Sequence, residues 1–186
     1  MKGIVFNLLE QVVTEEFSAD AWDDILDASG SQGAYTAVGS YPDEEFMGLV
    51  ATASGQLDTP VDDLVRWFGT KAVPHFARLY PQFFAPFTDT RAFVLTLNDV
   101  IHPEVRKLFP GADVPTFDFS TPDEHSVVIG YRSARKLCSF AEGLVEGAAA
   151  HFGETVTMSQ SQCMKRDDER CLILCTFVRV PEPASA

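Results

Sequence analysis

The chain has 186 residues, of which 46% are hydrophobic, with 15 Phe and a formal net charge of −13. This length suffices for one domain with a sizeable, aromatic core. The negative charge argues against nucleic acid as a partner, because phosphates require a basic protein surface, and it also disfavours an anionic membrane surface. The acidic residues occur in several separate stretches, which indicates a solvated face that keeps the protein soluble.

No apolar run reaches the roughly 18 residues needed to span a bilayer. The N-terminal stretch MKGIVFNLLEQVV has no small-residue cleavage site of the kind found in signal peptides. We therefore expect a cytoplasmic protein. Its four cysteines are then reduced, and metal binding or redox chemistry is favoured over structural disulfides.

The first half of the chain predicts short helices. The spacing of Ile4, Leu8 and Val12 indicates the first helix, and residues 21–26 indicate a second helix that ends near Gly30. The stretch SYPDEEFMGLVATASGQL predicts a third helix, with acidic residues in its first turn.

Two further helices are predicted between Thr59 and Gly111. The fourth helix should begin with Thr59 as N-cap and Pro60 at the first helical position, and Pro74 should end or kink it. The stretch TDTRAFVLTLNDVIHPEVRKLF predicts one long apolar helix that begins with Thr88 or Asp89 as its cap.

The pattern changes after Gly111. Strands are predicted for VPTFDFS and EHSVVIGYRS, a helix for 135–152, and two more strands for TVTMSQSQC and RCLILCTFVRV, joined by the polar loop MKRDDER. Helices followed by an antiparallel sheet predict an α+β fold. We expect a single domain with an N-terminal helical subdomain at about 1–60, a second subdomain with the sheet at about 61–180, and a tail at 181–186.

The segment YRSAR, at the junction of a predicted strand and helix, places three donors at alternate positions. Tyr131, Ser133 and Arg135 could converge on an anion from there, although an ordinary strand end has the same pattern. His102 lies on the most apolar helical segment, where a histidine is more often a core residue than a ligand. In combination, these residues and the many Phe supply what a haem needs, namely an axial ligand, an apolar cavity and donors for two propionates.

The sequence resembles the haem-nitric oxide/oxygen binding (H-NOX) domains. The resemblance covers nearly the whole chain, through MKGIVFNLLE, VRWFG, NDVIHPEVRKLFPGADVP, YRSARKLCSFAEGLVEGAAAHF and the CMKRDDERC hairpin. It implies a b-type haem between the two subdomains, with His102 as the proximal iron ligand. It also implies that Tyr131, Ser133 and Arg135 bind the haem propionates.

The same resemblance surrounds the haem with further residues. Pro115 and Ile4 would pack against the porphyrin, and the distal pocket would contain Phe140, Leu8, Ala72, Phe76 and Leu144. Oxygen-binding relatives carry a Tyr donor at the position of Phe140. Because bound O2 gains more from a donor than bound NO does, a pocket without donors should exclude O2 and admit NO and CO.

The cysteines match a second feature of some proteobacterial relatives, a structural zinc held by three Cys and one His. Cys138, Cys163 and Cys171 fall on the Cys positions, but Gln160 stands at the His position, and Gln is a poor zinc ligand. Cys175 could substitute only if the strand bulges or ends, because an extended strand would place it about 13 Å from Cys171. Zinc, reduced buried thiols and a redox switch all stay open.

The resemblance implies a gas sensor rather than an enzyme. NO would weaken the bond between His102 and iron, release the helix that carries His102, and shift the N-terminal helices against the rest of the protein. Since 186 residues leave no room for an output domain, we expect a separate partner, a histidine kinase or a diguanylate cyclase or phosphodiesterase.

Two alternatives belong to other classes. A haem peroxidase would need a distal acid–base residue, which Leu8, Ala72 and Phe140 do not supply. A haem-free module that binds a small apolar ligand is the second alternative, because AEGLVEGAAAHFGETVTMSQSQCMKRDDERC also resembles vinyl-reductase-type domains. Such a module would not require His102 or the YRSAR donors.

Overall fold

The computed structural model describes residues 1–181, so that nearly all of the expected tail at 181–186 lies outside the described residues. In chain order the elements are α1 (Gly3–Glu16), α2 (Ala19–Ser29), α3 (Asp43–Leu57), α4 (Val61–Leu79), α5 (Thr90–Leu95), α6 (His102–Leu108), β1 (Thr116–Ser120), β2 (Ser126–Arg132), α7 (Cys138–His151), β3 (Glu154–Gln162) and β4 (Cys171–Arg179). The predicted α+β class is confirmed. No helix among residues 1–181 combines the length and apolarity needed to cross a membrane.

The four strands form one antiparallel sheet in the order β1-β2-β4-β3. Its buried face includes Val127 and Ile129 of β2 and Ile173 of β4, which share a core with Val145 and Ala148 of α7. Alternate residues of β2 and β4 point into this core, as the period of a strand requires.

Helices α4 and α7 meet backbone to backbone. A Cβ atom at Gly143 would lie 1.9 Å from the carbonyl oxygen of Arg66, and one at Gly147 would lie 2.6 Å from that of Thr70. Only glycine allows so close an approach. This contact joins the helical half of the molecule to the half that contains the sheet.

Two apolar cores divide the molecule, and they meet within α4. The first contains α1, α2, α3 and the first half of α4 as far as Ala72. The second starts at Val73 and contains α5, α7 and the sheet.

The start and end of α4 differ from the prediction. The helix continues through Pro74 to Leu79, so Pro74 does not end it; one face of the helix is held by its long contact with α7. The Thr59 hydroxyl donates to the carbonyl of Leu57 and does not cap the helix, while Pro60 precedes the first helical residue.

The long helix predicted after residue 88 is broken. Asp89 does cap its start, accepting a hydrogen bond from the Ala92 amide at 2.7 Å, but α5 has only six residues. A π-helical turn at Leu97–Ile101 follows, and α6 starts at His102. The Asn98 side chain in that turn donates to the carbonyl of Phe117 on β1 at 2.8 Å, which holds the turn against the sheet.

Candidate functional site

A cavity of about 320 Å³ lies between α1, α4, the α5–α6 segment, the sheet and α7. This volume falls in the roughly 300–1,000 Å³ range of small-molecule pockets. The structure brings together at its wall nine of the residues that the sequence placed around a haem: Ile4, Phe76, His102, Pro115, Tyr131, Ser133, Arg135, Phe140 and Leu144.

His102 is buried in this wall, with 9% of its surface exposed. Its ring stacks on that of Phe117 at a centroid distance of 5.4 Å, and its Nδ1 atom has no hydrogen-bond partner within residues 1–181. Burial, with a smaller contribution from Arg106, lowers the pKa of His102 to about 4. The imidazole is therefore neutral near pH 7, the form that ligates metals, and a buried unpaired ring nitrogen is costly unless a ligand engages the ring.

Tyr131 and Ser133 occupy the end of β2 beside the cavity. The Tyr131 hydroxyl accepts a hydrogen bond from the Leu137 amide at 3.0 Å, and the Ser133 hydroxyl accepts one from the Arg135 amide at 3.3 Å. Burial raises the pKa of Tyr131, so the hydroxyl keeps its proton and can donate to an anion.

Arg135 makes ion pairs that its sequence motif does not reveal. Its Nε atom lies 2.7 Å from a carboxylate oxygen of Asp43 in the first turn of α3, and its remaining nitrogens contact the backbone carbonyl and carboxylate of Asp113. Burial of Asp43 opposes its ionisation, but hydrogen bonds from the Met1 amino group and Arg135 bring its pKa below the usual value. A guanidinium has five N–H donors, so these contacts leave donors for a ligand carboxylate.

No motif indicated these partners. Asp43 is 92 positions from Arg135 in sequence, and only the fold brings the two residues together.

The side of the cavity formed by α4 and α7 is largely apolar. Phe140 stacks on Phe68 at a centroid distance of 5.3 Å, and Phe76 and Leu144 continue the wall. The structure places two of the expected pocket residues elsewhere. Leu8 and Ala72, which are 1% and 0% exposed, are buried in the core of the N-terminal helices and do not line the cavity.

One acidic residue of α7 also borders the cavity. The carboxylate of Glu142 accepts a hydrogen bond from Arg66 at 3.3 Å, and burial raises its pKa. A carboxylate paired in this way is an acceptor and supplies no donor to the cavity.

These residues fit a haem. The cavity offers a neutral imidazole without a partner, apolar and aromatic walls for a porphyrin, and a guanidinium with two hydroxyls for carboxylates.

Three cysteines form a separate buried cluster. The Sγ atoms of Cys138, Cys163 and Cys171 all lie within 4.8 Å of one another, and burial raises the pKa of Cys171 to about 12. Cys175 lies outside the cluster and lines the large cavity. The Nε2 atom of Gln160 is buried with no hydrogen-bond partner among the described residues. Three thiols at this spacing could hold a thiophilic ion, and zinc at this cluster stays a prediction.

Comparison with known proteins identified one matching family model, HNOB (Haem-NO-binding), over residues 2–160. No curated protein sequence matches the chain significantly.

Several solved structures share the fold over nearly the full length of both chains. An H-NOX protein from S. oneidensis in the Fe(II)NO state has a TM-score of 0.90 and 29% identity, covering 96% of this chain and 100% of that one. The H-NOX from Shewanella woodyi, bound to IWP-051 in the Fe(II)CO state, has a TM-score of 0.79 and 33% identity, covering 100% and 97%. The unliganded Fe(II) H-NOX protein from K. algicida has a TM-score of 0.85 and 26% identity, covering 100% of both chains.

Proposed function

Because the chain belongs to the haem-NO-binding (H-NOX) family, whose members are haem-based gas-sensor domains rather than enzymes, we propose that it senses NO, also admits CO and excludes O2. The observation that carries this proposal is a cavity with one neutral, unpaired imidazole on one side and no side-chain donor among Phe76, Phe140 and Leu144 on the other.

In this proposal, a b-type haem is held by His102 at the iron and by Tyr131, Ser133 and Arg135 at the propionates. When bound, ferrous haem supplies an open coordination position for a diatomic gas. The low pKa of His102 keeps its nitrogen lone pair available at any pH well above 4. Arg135 would hold a propionate while still paired with Asp43, so the same guanidinium would link the haem to α3.

Selectivity follows from what the side chains of α4 and α7 cannot do. A hydrogen-bond donor in this wall would stabilise O2, the more polarised of the two bound gases, whereas NO would gain little from one. Phe140, Phe76 and Leu144 donate no hydrogen bond, and Phe140 is held in place by its stack on Phe68. This pocket would therefore favour NO and CO over O2.

The signal would start at the junction that carries His102. Within residues 1–181 no protein group bonds to Nδ1 of His102, so packing on Phe117 would orient the ring independently of any ligand. His102 begins the seven-residue helix α6 behind a π-helical turn, and the hydrogen bond from Asn98 to the Phe117 carbonyl ties that turn to β1. Movement of α6 would then change the cavity wall that α1 shares.

We further propose that the receiver is a separate partner protein in the cytoplasm. The resemblance to H-NOX domains suggests a histidine kinase or a diguanylate cyclase or phosphodiesterase.

The test is an absorption spectrum of the reduced protein under NO, under CO and in air, for the wild type and for Phe140→Tyr. For both proteins we expect a Soret band that shifts with NO and with CO. In air, the wild-type band should not change, whereas Phe140→Tyr should show a stable oxygenated spectrum. A stable oxygenated spectrum for the wild type would overturn the selectivity argument. Equal behaviour of the two proteins in air would show that Phe140 does not control it.

A further inference from the structure

The negative charge of the chain is concentrated in one region. Residues 3–65 contain 13 Asp and Glu and no Lys or Arg. The 14 Lys and Arg of the chain all lie outside this stretch, together with the other 14 of its 27 acidic residues. The helical region that contains α1, α2 and α3 therefore carries the whole net charge of −13, and the remainder is formally neutral.

Part of this charge has no internal partner. Asp20, Asp23, Asp24 and Asp27 of α2 are exposed, and none of their carboxylates forms an ion pair or hydrogen bond within residues 1–181. Other acidic residues in the region do have partners, such as Glu16 with Lys71 and Asp62 with Lys165. Within the described chain, helix α2 thus carries four unpaired carboxylates, more than any other element of this region.

An apolar groove runs beside these carboxylates. It has a volume of about 130 Å³, is bordered by Asp24 and Ile25 of α2, Ala53 and Leu57 of α3, and Trp67 of α4, and is almost entirely hydrophobic. A cavity of about 150 Å³ accommodates benzene, so this groove suits one ring or one branched aliphatic side chain.

Apolar side chains also stand exposed at the mouth of the groove. Phe17 is 54% exposed, beside the ring of Trp67 at 5.8 Å, and Leu57 is 46% exposed. An exposed aromatic residue next to an open apolar groove is characteristic of a surface that another molecule covers.

We propose that this groove is the docking site for a basic, amphipathic helix of a partner protein. One large apolar side chain of the helix inserts between α2, α3 and α4, and Lys or Arg residues beside it pair with the carboxylates of α2. Charge decides the occupant, because a second copy of this chain would bring two regions of −13 together.

The groove also adjoins the haem cavity. Phe68 borders the groove and stacks on Phe140, which lines the cavity. One aromatic pair therefore separates the two sites. Docking itself needs no gas. That the docked partner receives the gas signal rests on the proposed function.

The experiment uses the haem-loaded chain and a fluorescent Leu/Lys peptide of about 18 residues with a Trp at the centre of its apolar face. Binding is measured by anisotropy at low ionic strength. We expect saturable binding that weakens about tenfold when the peptide Trp is replaced by Ala, and about tenfold for the groove-filling variant Ala53→Trp. A peptide of the same composition with its apolar face scrambled should bind much more weakly.

Two matched charge variants isolate the role of α2. Asp23→Asn/Asp24→Asn should weaken binding about tenfold, whereas Glu124→Gln/Glu169→Gln, which removes the same charge from exposed positions outside residues 3–65, should change it by less than about twofold. Soret absorbance and thermal unfolding confirm that each variant is folded and loaded.

Three results would overturn the proposal. The first is equal weakening by both charge pairs, which would mean non-specific attraction. The second is unchanged binding to Ala53→Trp, and the third is a concentration-dependent dimer that Ala53→Trp abolishes. Docking is measured by peptide anisotropy and gas binding by the Soret band. A negative result for the docking proposal therefore leaves the gas-sensing proposal intact, and the reverse also holds.

Discussion

The two cores of this molecule use apolar residues differently. In the N-terminal core, Phe6, Phe46 and Phe68 are each at most 1% exposed and fill the space between α1, α3 and α4. In the second core, aromatic residues such as Phe93 and Phe117 line a cavity of about 320 Å³ instead. The first core is therefore stabilised by its own packing, whereas the second needs a ligand to complete it.

Haem binding should stabilise the second core far more than the first. Haem should raise the free energy of unfolding by about 4 kcal/mol at a free concentration a thousandfold above its Kd. Hydrogen exchange should slow mainly in α5, α6 and β2, with little change in α2 and α3, since these last two helices do not line the cavity. Uniform protection across the chain would contradict the distinction between the two cores.

The backbone contact between α4 and α7, which joins the two cores, should be the next most sensitive to mutation. Gly143→Ala places a Cβ atom against the Arg66 carbonyl, where backbone blocks relief, and should lower the free energy of unfolding by about 3 kcal/mol in urea denaturation. Gly48→Ala is the control, because a Cβ at that helical position of α3 meets nothing within 4 Å. It should raise stability by about 0.5–1 kcal/mol. Similar values for the two variants would contradict the backbone contact.

In the absence of haem, the buried His102 side chain should lower the free energy of unfolding. His102→Leu should stabilise the apoprotein by about 2 kcal/mol at pH 7, because it removes a buried nitrogen without a partner. The pKa of His102 is about 4 in the folded protein and 6.5 in a model peptide, so the unfolded chain binds the extra proton. The wild-type apoprotein should therefore lose stability as the pH falls from 6.5 towards 4, and the variant should lose less. Urea denaturation at several pH values measures this, and parallel pH profiles would contradict it.

The ion pair between Asp43 of α3 and Arg135 should have the smallest effect on the free energy of unfolding. Asp43→Asn removes one partner of Arg135 and should cost less than about 1 kcal/mol, because the carboxylate is partly exposed and screened. It should also release haem faster, measured by transfer to apomyoglobin. Glu44→Gln, an exposed neighbour without an ion pair in the described chain, should leave both quantities unchanged. Equal haem release from both variants would argue against a positioning role for Asp43.

The sequence predicted the parts of the fold that depend on local pattern. The four strands, the α+β order, the Asp89 cap and the end of α2 at Gly30 all follow from periodicity and turn chemistry. The break in the helix before His102 did not, because the π-helical turn depends on the tertiary bond from Asn98 to Phe117. That α4 continues past Pro74 also depends on tertiary structure, since contact with α7 outweighs the lost backbone bond.

Some residues of the candidate site could likewise be predicted from the sequence, and others could not. His102 and the YRSAR donors could be selected from residue chemistry and resemblance, and the structure places all four at one cavity. Asp43 could not, because only the fold brings it to Arg135. The glycine contact had a visible signal in Gly143 and Gly147, four residues apart on one helix face, which marks a close helix approach.

We propose that the second core is built around a haem that His102 ligates. The most direct measurement is a titration of the apoprotein with haem, followed at the Soret band, for the wild type and His102→Leu. We predict saturation at one haem per wild-type chain, and for the variant a weaker, blue-shifted band without a ligated histidine. Failure of the wild type to saturate, or identical spectra for the two proteins, would contradict it.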